Sequence, residues 1–176
     1  MTVPTSTDTA DLRSGPETNQ ALLALLPLVG AWHGQGTVRV PASGEELAYA
    51  QRVSFSHDGR PFLIYSSQTW LVNPDGSVLR PASRECGFWR AGPGQDDVEL
   101  VLSLATGIIE VFTGIAGEHR WELATGVVGF TPTAKKLAGE RRLYAMVDDT
   151  LTYVQELALE PGDFRPHLTA QLSRTH

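Results

Sequence analysis

Phe62-Leu-Ile-Tyr-Ser-Ser-Gln-Thr-Trp-Leu-Val72, Asn73-Pro-Asp-Gly76, Ser77-Val-Leu-Arg80 reads as a run of strand formers, a four-residue turn signal and a second run. That pattern repeats along the chain. Apolar and β-branched runs stand at 32–40, 47–56, 62–72, 77–80, 84–90, 97–103, 108–114, 118–125, 127–131, 138–146, 151–159 and 167–174. Turn signals separate them at His57-Asp-Gly-Arg60, Gly92-Pro-Gly94, Thr106-Gly107, Ala116-Gly117 and Asp148-Asp149. Strand runs punctuated at roughly every 8 to 12 residues, with no long crossover between them, predict an all-β up-and-down meander. A meander of about ten strands must stack as two sheets or close on itself. Closure removes exposed edges and leaves an interior able to hold one small ligand. The short connections favour a closed, calycin-like or lipocalin-like antiparallel β-barrel over a sandwich, which needs Greek-key crossings.

Upstream of the first run, Gln20-Ala-Leu-Leu-Ala-Leu-Leu26 is rich in helix formers and is followed by Pro27. It predicts a short helix of about two turns that closes one barrel end. Residues 1–19 are rich in Thr, Ser, Asp and Pro with almost no large apolar residue, the composition of a disordered tail. The domain is expected over 20–176.

A chain of 176 residues fits one domain with a ligand-sized cavity and leaves no room for a second. Its net charge of −6 argues against nucleic acid as a partner, since phosphate neutralisation needs clustered Lys and Arg. Lys135-Lys136 and Arg141-Arg142 are too sparse to alter that and read as solvated strand ends or turn residues. The single cysteine, Cys86, excludes an intrachain disulfide and a multi-cysteine metal site, which suits a cytoplasmic protein. The apolar stretch 21–30 is broken by Pro27 and too short to span a bilayer, so no membrane association is expected.

Catalytic signatures are scarce. There is no Gly-x-Ser-x-Gly elbow and no phosphate-binding glycine loop before a helix. Carboxylate pairs at Glu45-Glu46, Asp96-Asp97 and Asp148-Asp149 read as turn and edge charges. The histidines are His33, His57, His119, His167 and His176, none paired at metal-ligand spacing. Each alone is most simply a solvated or hydrogen-bonded imidazole. His167 differs in context: Phe164-Arg-Pro-His-Leu168 sets it after a proline at the start of the last strand, flanked by apolar residues. A neutral imidazole in an apolar barrel mouth has the chemistry of a single axial haem ligand.

Several motifs, taken in order, resemble the nitrobindin family of haem-binding barrels, similar in fold to fatty-acid-binding proteins. Gly30-Ala-Trp-His-Gly-Gln-Gly36 matches its Gly-x-Trp-x-Gly-x-Gly signature. Phe55-Ser-His-Asp-Gly-Arg-Pro-Phe-Leu63, Glu85-Cys-Gly-Phe-Trp-Arg90, Thr106-Gly-Ile-Ile-Glu110, Thr133-Ala-Lys-Lys136, Leu151-Thr-Tyr153 and Pro166-His-Leu-Thr-Ala-Gln-Leu-Ser-Arg174 continue the match over about residues 20–174. The resemblance implies one ferric haem b per chain, with the histidine of its His-Leu-x-Ala-x-Leu motif, His167 here, as the iron ligand and catalytic centre. It implies further cofactor contacts from Gly30, Trp32, Gly34 and Gly36. Where the family has Tyr-Pro-Thr beside the haem, this chain has Val40-Pro-Ala-Ser43, and Ser43 stands in for the threonine hydroxyl after a one-residue insertion. The glycines and Trp32 also fit a structural reading, curvature of the first strand and a plug for the floor. The implied activity is isomerisation of peroxynitrite to nitrate together with nitric oxide binding, and an exposed haem edge would suit a weak homodimer. Two rivals stay open from the sequence: a fatty-acid carrier using an interior arginine, and a nitric oxide sensor without turnover.

Overall fold

The structure, a computed structural model, describes residues 8–175. Ten antiparallel strands close into a barrel in the order β1-β10-β9-β8-β7-β6-β5-β4-β3-β2, each hydrogen-bonded to its chain neighbours and β10 closing onto β1. They are β1 (Gly30–Arg39), β2 (Glu46–Ser56), β3 (Phe62–Val72), β4 (Val78–Ala91), β5 (Asp97–Leu104), β6 (Ile108–Gly117), β7 (Arg120–Phe130), β8 (Gly139–Val147), β9 (Thr150–Ala158) and β10 (Phe164–Thr175). The barrel predicted from the turn spacing is therefore the fold.

Two pairs of predicted runs fuse into single strands. Runs 77–80 and 84–90 form β4, whose pairing with β3 shifts between Gln68 and Trp70, so the gap between the two runs is a bulge. Runs 118–125 and 127–131 form β7. There Phe112 pairs with Thr125 and Val111 with Val127, leaving Gly126 as the extra residue. Glycine and proline interrupt a ladder without ending the strand when one extra residue is absorbed. The turn read at Ala116-Gly117 falls two residues later, at Glu118-His119. At Asp148-Asp149 both residues have positive φ, 47° and 61°, the two-residue hairpin geometry that matches strand twist.

The helix is a 3₁₀ helix over Gln20–Leu28 with Pro27 inside it, where a short helix ending at Leu26 was expected. Its buried residues are Leu22, Leu25 and Leu28, spaced by three, which is the 3₁₀ period and sets one leucine edge against the barrel. Asn19 caps it, its side chain accepting from the Ala21 N–H at 3.0 Å. Of the expected tail, residues 1–7 lie outside the described residues. At Thr9 the chain is already tied down, exchanging two backbone hydrogen bonds of 2.9 Å with His57.

The strands' inward faces divide the interior into two halves. Nearest the helix lie Trp32, Phe55, Leu63, Trp89, Leu100, Trp121, Leu151 and Leu172, all fully buried. Trp32 Nε1 donates to the Leu28 carbonyl at 2.9 Å and Trp121 Nε1 to the Ala24 carbonyl at 2.8 Å, locking helix and barrel into a closed floor. Above it the inward side chains turn polar: Tyr49, Gln51, Ser67, Glu110, Glu140, Arg142, Tyr144, Tyr153 and Gln155 are all buried.

Candidate functional site

At the end opposite the floor, the pairing of β10 with β9 slips: Pro166 faces Glu156 and Leu168 faces Gln155, leaving His167 as the extra residue. Proline has no N–H to give a ladder, so the irregularity falls where one donor was already missing. The bulge resolves a question of parity. Ala170 and Leu172 face inward, and strict alternation would add Leu168 but send His167 out. The unpaired residue frees His167 from that alternation, and both His167 and Leu168 are partly buried.

The imidazole is oriented by one contact. Its Nδ1 lies 3.0 Å from the carbonyl oxygen of Arg39, at the end of β1. A carbonyl can only accept, so the neutral ring carries its proton on Nδ1 and leaves the Nε2 lone pair without a partner among the described residues. Burial pushes the imidazole below its ordinary range; the Arg39 carbonyl opposes that shift and the charge of Arg142 adds to it. The ring is held neutral, in one tautomer, with one nitrogen available as a ligand, as a metal-binding histidine is when its other nitrogen is tied to a carbonyl. That donor chemistry fits a haem iron. Among the described residues there is no group of three or more His, Cys, Asp or Glu able to hold a bare metal ion.

Arg142 belongs to a cluster at the same level of the barrel, since Leu168 pairs with Gln155 and Gln155 with Arg142. Its side chain is 1% exposed. Nε donates to Glu140 in a short contact, while Nη1 donates to Glu85 Oε2 at 2.8 Å and to the Tyr144 hydroxyl at 3.3 Å. Here the sequence reading is corrected: Arg141 is exposed and lies over the Phe164 ring at 3.9 Å, but Arg142 is interior. Glu140, Arg142 and Tyr144 alternate onto one face of β8, a period-two signal that the neighbouring Arg141 disguises as a basic surface pair. Glu110 completes the group. It is fully buried, and neither carboxyl oxygen has a partner among the described residues. Burial, reinforced by the charge of Glu140 and resisted by Arg142, raises its pKa to about 8. Around this cluster the Tyr153 hydroxyl donates to Gln51 at 2.8 Å, Gln51 donates to Ser67 at 2.8 Å, and the Tyr49 hydroxyl donates to the Thr169 carbonyl at 2.8 Å. Burial pushes all four interior tyrosines, Tyr49, Tyr65, Tyr144 and Tyr153, above their ordinary range, which leaves them neutral.

The other residues singled out in the sequence spread along β1. Gly30 and Trp32 stand at the floor, where Arg174 lies over the Trp32 ring at 4.1 Å. Gly34 and Gly36 are points of close approach: a Cβ on Gly34 would sit 2.0 Å from the Gln171 carbonyl oxygen, and one on Gly36 1.8 Å from that of Thr169. Gly36 also leaves room for the Tyr49 ring. Ser43 lies in the β1–β2 turn at the His167 end, exposed, its Oγ accepting from the Glu45 N–H at 3.3 Å. The structure thus brings His167 and the Ser43 turn to one end and leaves Gly30 and Trp32 at the other. His33 and His119 are exposed, His57 is buried beneath the Thr9 segment with both ring nitrogens unpartnered among the described residues, and His176 lies outside them.

The fold and site together are those of a closed ten-stranded β-barrel with one oriented imidazole at its mouth. The profile of the family described as THAP4-like, heme-binding beta-barrel domain matches residues 21–174, and the chain belongs to that family. Among curated relatives it is 42% identical to peroxynitrite isomerase 2 of Rhodococcus jostii, over 98% of this chain and 84% of that one. It is 44% identical to a ferric nitrobindin-like protein of Saccharopolyspora erythraea, over 95% of this chain and 79% of that one. Among solved structures, the crystal structure of Rv2717c from M. tuberculosis superposes with a TM-score of 0.79 at 33% identity, covering 91% of this chain and all of that one. No helix among the described residues is long and apolar enough to cross a membrane.

Proposed function

We propose that this chain binds one ferric haem b through His167 Nε2 and isomerises peroxynitrite to nitrate, with nitric oxide as a second ligand. The observation that carries the reading is the His167–Arg39 contact, which fixes the tautomer and leaves a neutral imidazole nitrogen free at the mouth of a haem-family barrel. Two relatives named for peroxynitrite isomerisation or ferric nitrobindin support the choice of reaction. Bound there, ferric haem would supply Lewis-acid chemistry toward the peroxo anion. The chain's own contribution is to hold Nδ1–H on the Arg39 carbonyl, so that Nε2 keeps its lone pair. The lowered imidazole pKa keeps that lone pair from being lost to a proton at neutral pH. Isomerisation needs no net proton and no reductant, and it requires no distal acid–base pair. Ser43 belongs to the mouth and is assigned a polar contact there; Gly34 and Gly36 let β1 approach β10 closely enough to bring Arg39 to His167.

The carrier alternative needs an interior arginine free to bind a carboxylate. Arg142 is already engaged by Glu85 and Glu140, which weighs against it. Titration of the purified apo-protein with ferric haem, in parallel with His167→Ala, tests the proposal. A saturating one-to-one Soret shift in the wild type, lost in the variant, is expected; absence of specific binding by the wild type would remove the haem reading.

A further inference from the structure

We propose that Glu110 is the proton-exchanging residue of the barrel interior, and that its charge sets how readily an anion enters the mouth. The inference rests on the haem-barrel reading for its anion, and on geometry for its residue.

Three carboxyl groups and one guanidinium share the interior. Arg142 spends its hydrogen bonds on Glu85, Glu140 and Tyr144, and none of its nitrogens reaches Glu110. Its Nη2 is buried without a partner among the described residues, as are both Glu110 oxygens. One cation cannot neutralise three carboxylates, and a buried carboxylate with no donor must shed its charge by taking a proton. Glu110 is the one of the three without a donor. With its proton, the four groups carry a net charge of −1; without it, −2.

Of the groups around it, Glu140 is itself pushed up by burial, but the charge and hydrogen bond of Arg142 oppose that shift. From β4 comes Glu85, and from β8 come Glu140, Arg142 and Tyr144. The tyrosines of β2, β3 and β9, Tyr49, Tyr65 and Tyr153, stay neutral. β5 and β7, which flank β6, turn apolar side chains and Thr125 inward, among them Leu100, Leu102 and Leu123. On β10, His167 is kept neutral. The proton comes from solvent through the mouth and returns there, and no bond other than O–H changes.

An anion arriving beside His167 meets this cluster at its own level of the barrel. At an effective dielectric near 20, one more negative charge within roughly 10 Å weakens anion binding on the order of tenfold. Anion affinity should therefore fall as Glu110 ionises. The test uses haem-loaded wild type, Glu110→Gln and Glu110→Asp, with azide as the probe, its affinity read from the Soret shift between pH 6 and 9.5. The wild type should lose on the order of tenfold more affinity than Glu110→Gln across pH 8, and Glu110→Asp should retain a titrating step. Identical profiles in wild type and Glu110→Gln would overturn the inference.

A second readout needs no haem. For the apo-proteins in urea, Glu110→Gln should gain stability over the wild type above pH 8 and not below pH 5. The sign follows from a folded pKa of about 8 against the ordinary 4.5: the wild type's folded state loses its extra proton, and stability with it, as pH rises through that window. If haem fails to bind but this difference appears, the haem reading falls and proton exchange stands. If haem binds and neither difference appears, Glu110 is a passive core residue.

Discussion

The floor and the mouth of this barrel are built from the same ten strands, yet they obey different physics. At the floor, three buried tryptophans and a leucine-edged 3₁₀ helix remove apolar surface from water; the indole N–H groups of Trp32 and Trp121 donate to helix carbonyls, while that of Trp89 has no partner among the described residues. Its stability is the hydrophobic kind, insensitive to pH. Toward the mouth the interior holds three carboxyls, a guanidinium, four tyrosines and an oriented histidine. There, burial costs energy unless each charge is matched, and residual mismatch remains at Glu110 and Arg142 Nη2. A barrel can afford such a half only when the other half is fully packed, and an interior of mismatched charge is where ligand chemistry is to be sought.

Removing the one interior cation should break the contrast most severely. Arg142→Met leaves Glu85 and Glu140 buried without their donor, and a loss of about 3–5 kcal/mol is expected in urea unfolding at pH 7. The loss should shrink at pH 5, where the orphaned carboxyls take up protons. Equal losses at both pH values would mean that the guanidinium matters for packing alone. Gly36→Ala is next, at about 1–3 kcal/mol, because its Cβ meets the Thr169 carbonyl and the Tyr49 hydroxyl and must force β1 from β10. Since Arg39 lies three residues further along β1, haem affinity should fall with it. Trp121→Phe, which loses the bond to Ala24 and part of the indole volume, should cost about 1–2 kcal/mol while haem affinity stays unchanged. A floor variant that altered haem affinity would show that the two halves are energetically one.

The floor was the legible half. Turn signals between β-rich runs predict the barrel, because a turn needs particular residues at particular φ, as at Gly59 or Asp148-Asp149, whatever the tertiary context. Helix type was less legible: leucines at 22, 25 and 28 follow a period of three, but Leu23 and Leu26 between them blur it. In the mouth half the sequence singled out His167 and Ser43 and passed over the charged interior. Glu85, Glu110, Glu140 and Arg142 come from three strands, and only closure of the sheet shows them facing one another. Read singly, such charges are assigned to solvent, the commoner fate of charged residues. The bulge that reorients His167 is a pairing property of β9 against β10, which no single strand carries.

The smallest expected effect, and the one that locates the imidazole, is a pH dependence in the apo-protein. Burial lowers the His167 pKa in the folded state below its ordinary 6.5. Over the interval between the two values the unfolded chain binds more protons than the folded one, so stability falls as pH drops through it and is unaffected above it. Other carboxylates also destabilise the barrel in acid, and for that reason the quantity to measure is the difference between wild type and His167→Gln. From pH 7.5 to pH 5 the wild type should lose more urea stability than the variant, and the two should shift in parallel above pH 7. Parallel shifts throughout would mean a water-exposed ring at every pH, with no pre-oriented nitrogen at the mouth and no contrast between the two halves at β10. A larger acid loss in the wild type means the ring is held neutral before any cofactor arrives, so that orienting His167 is part of folding the mouth and not a consequence of filling it.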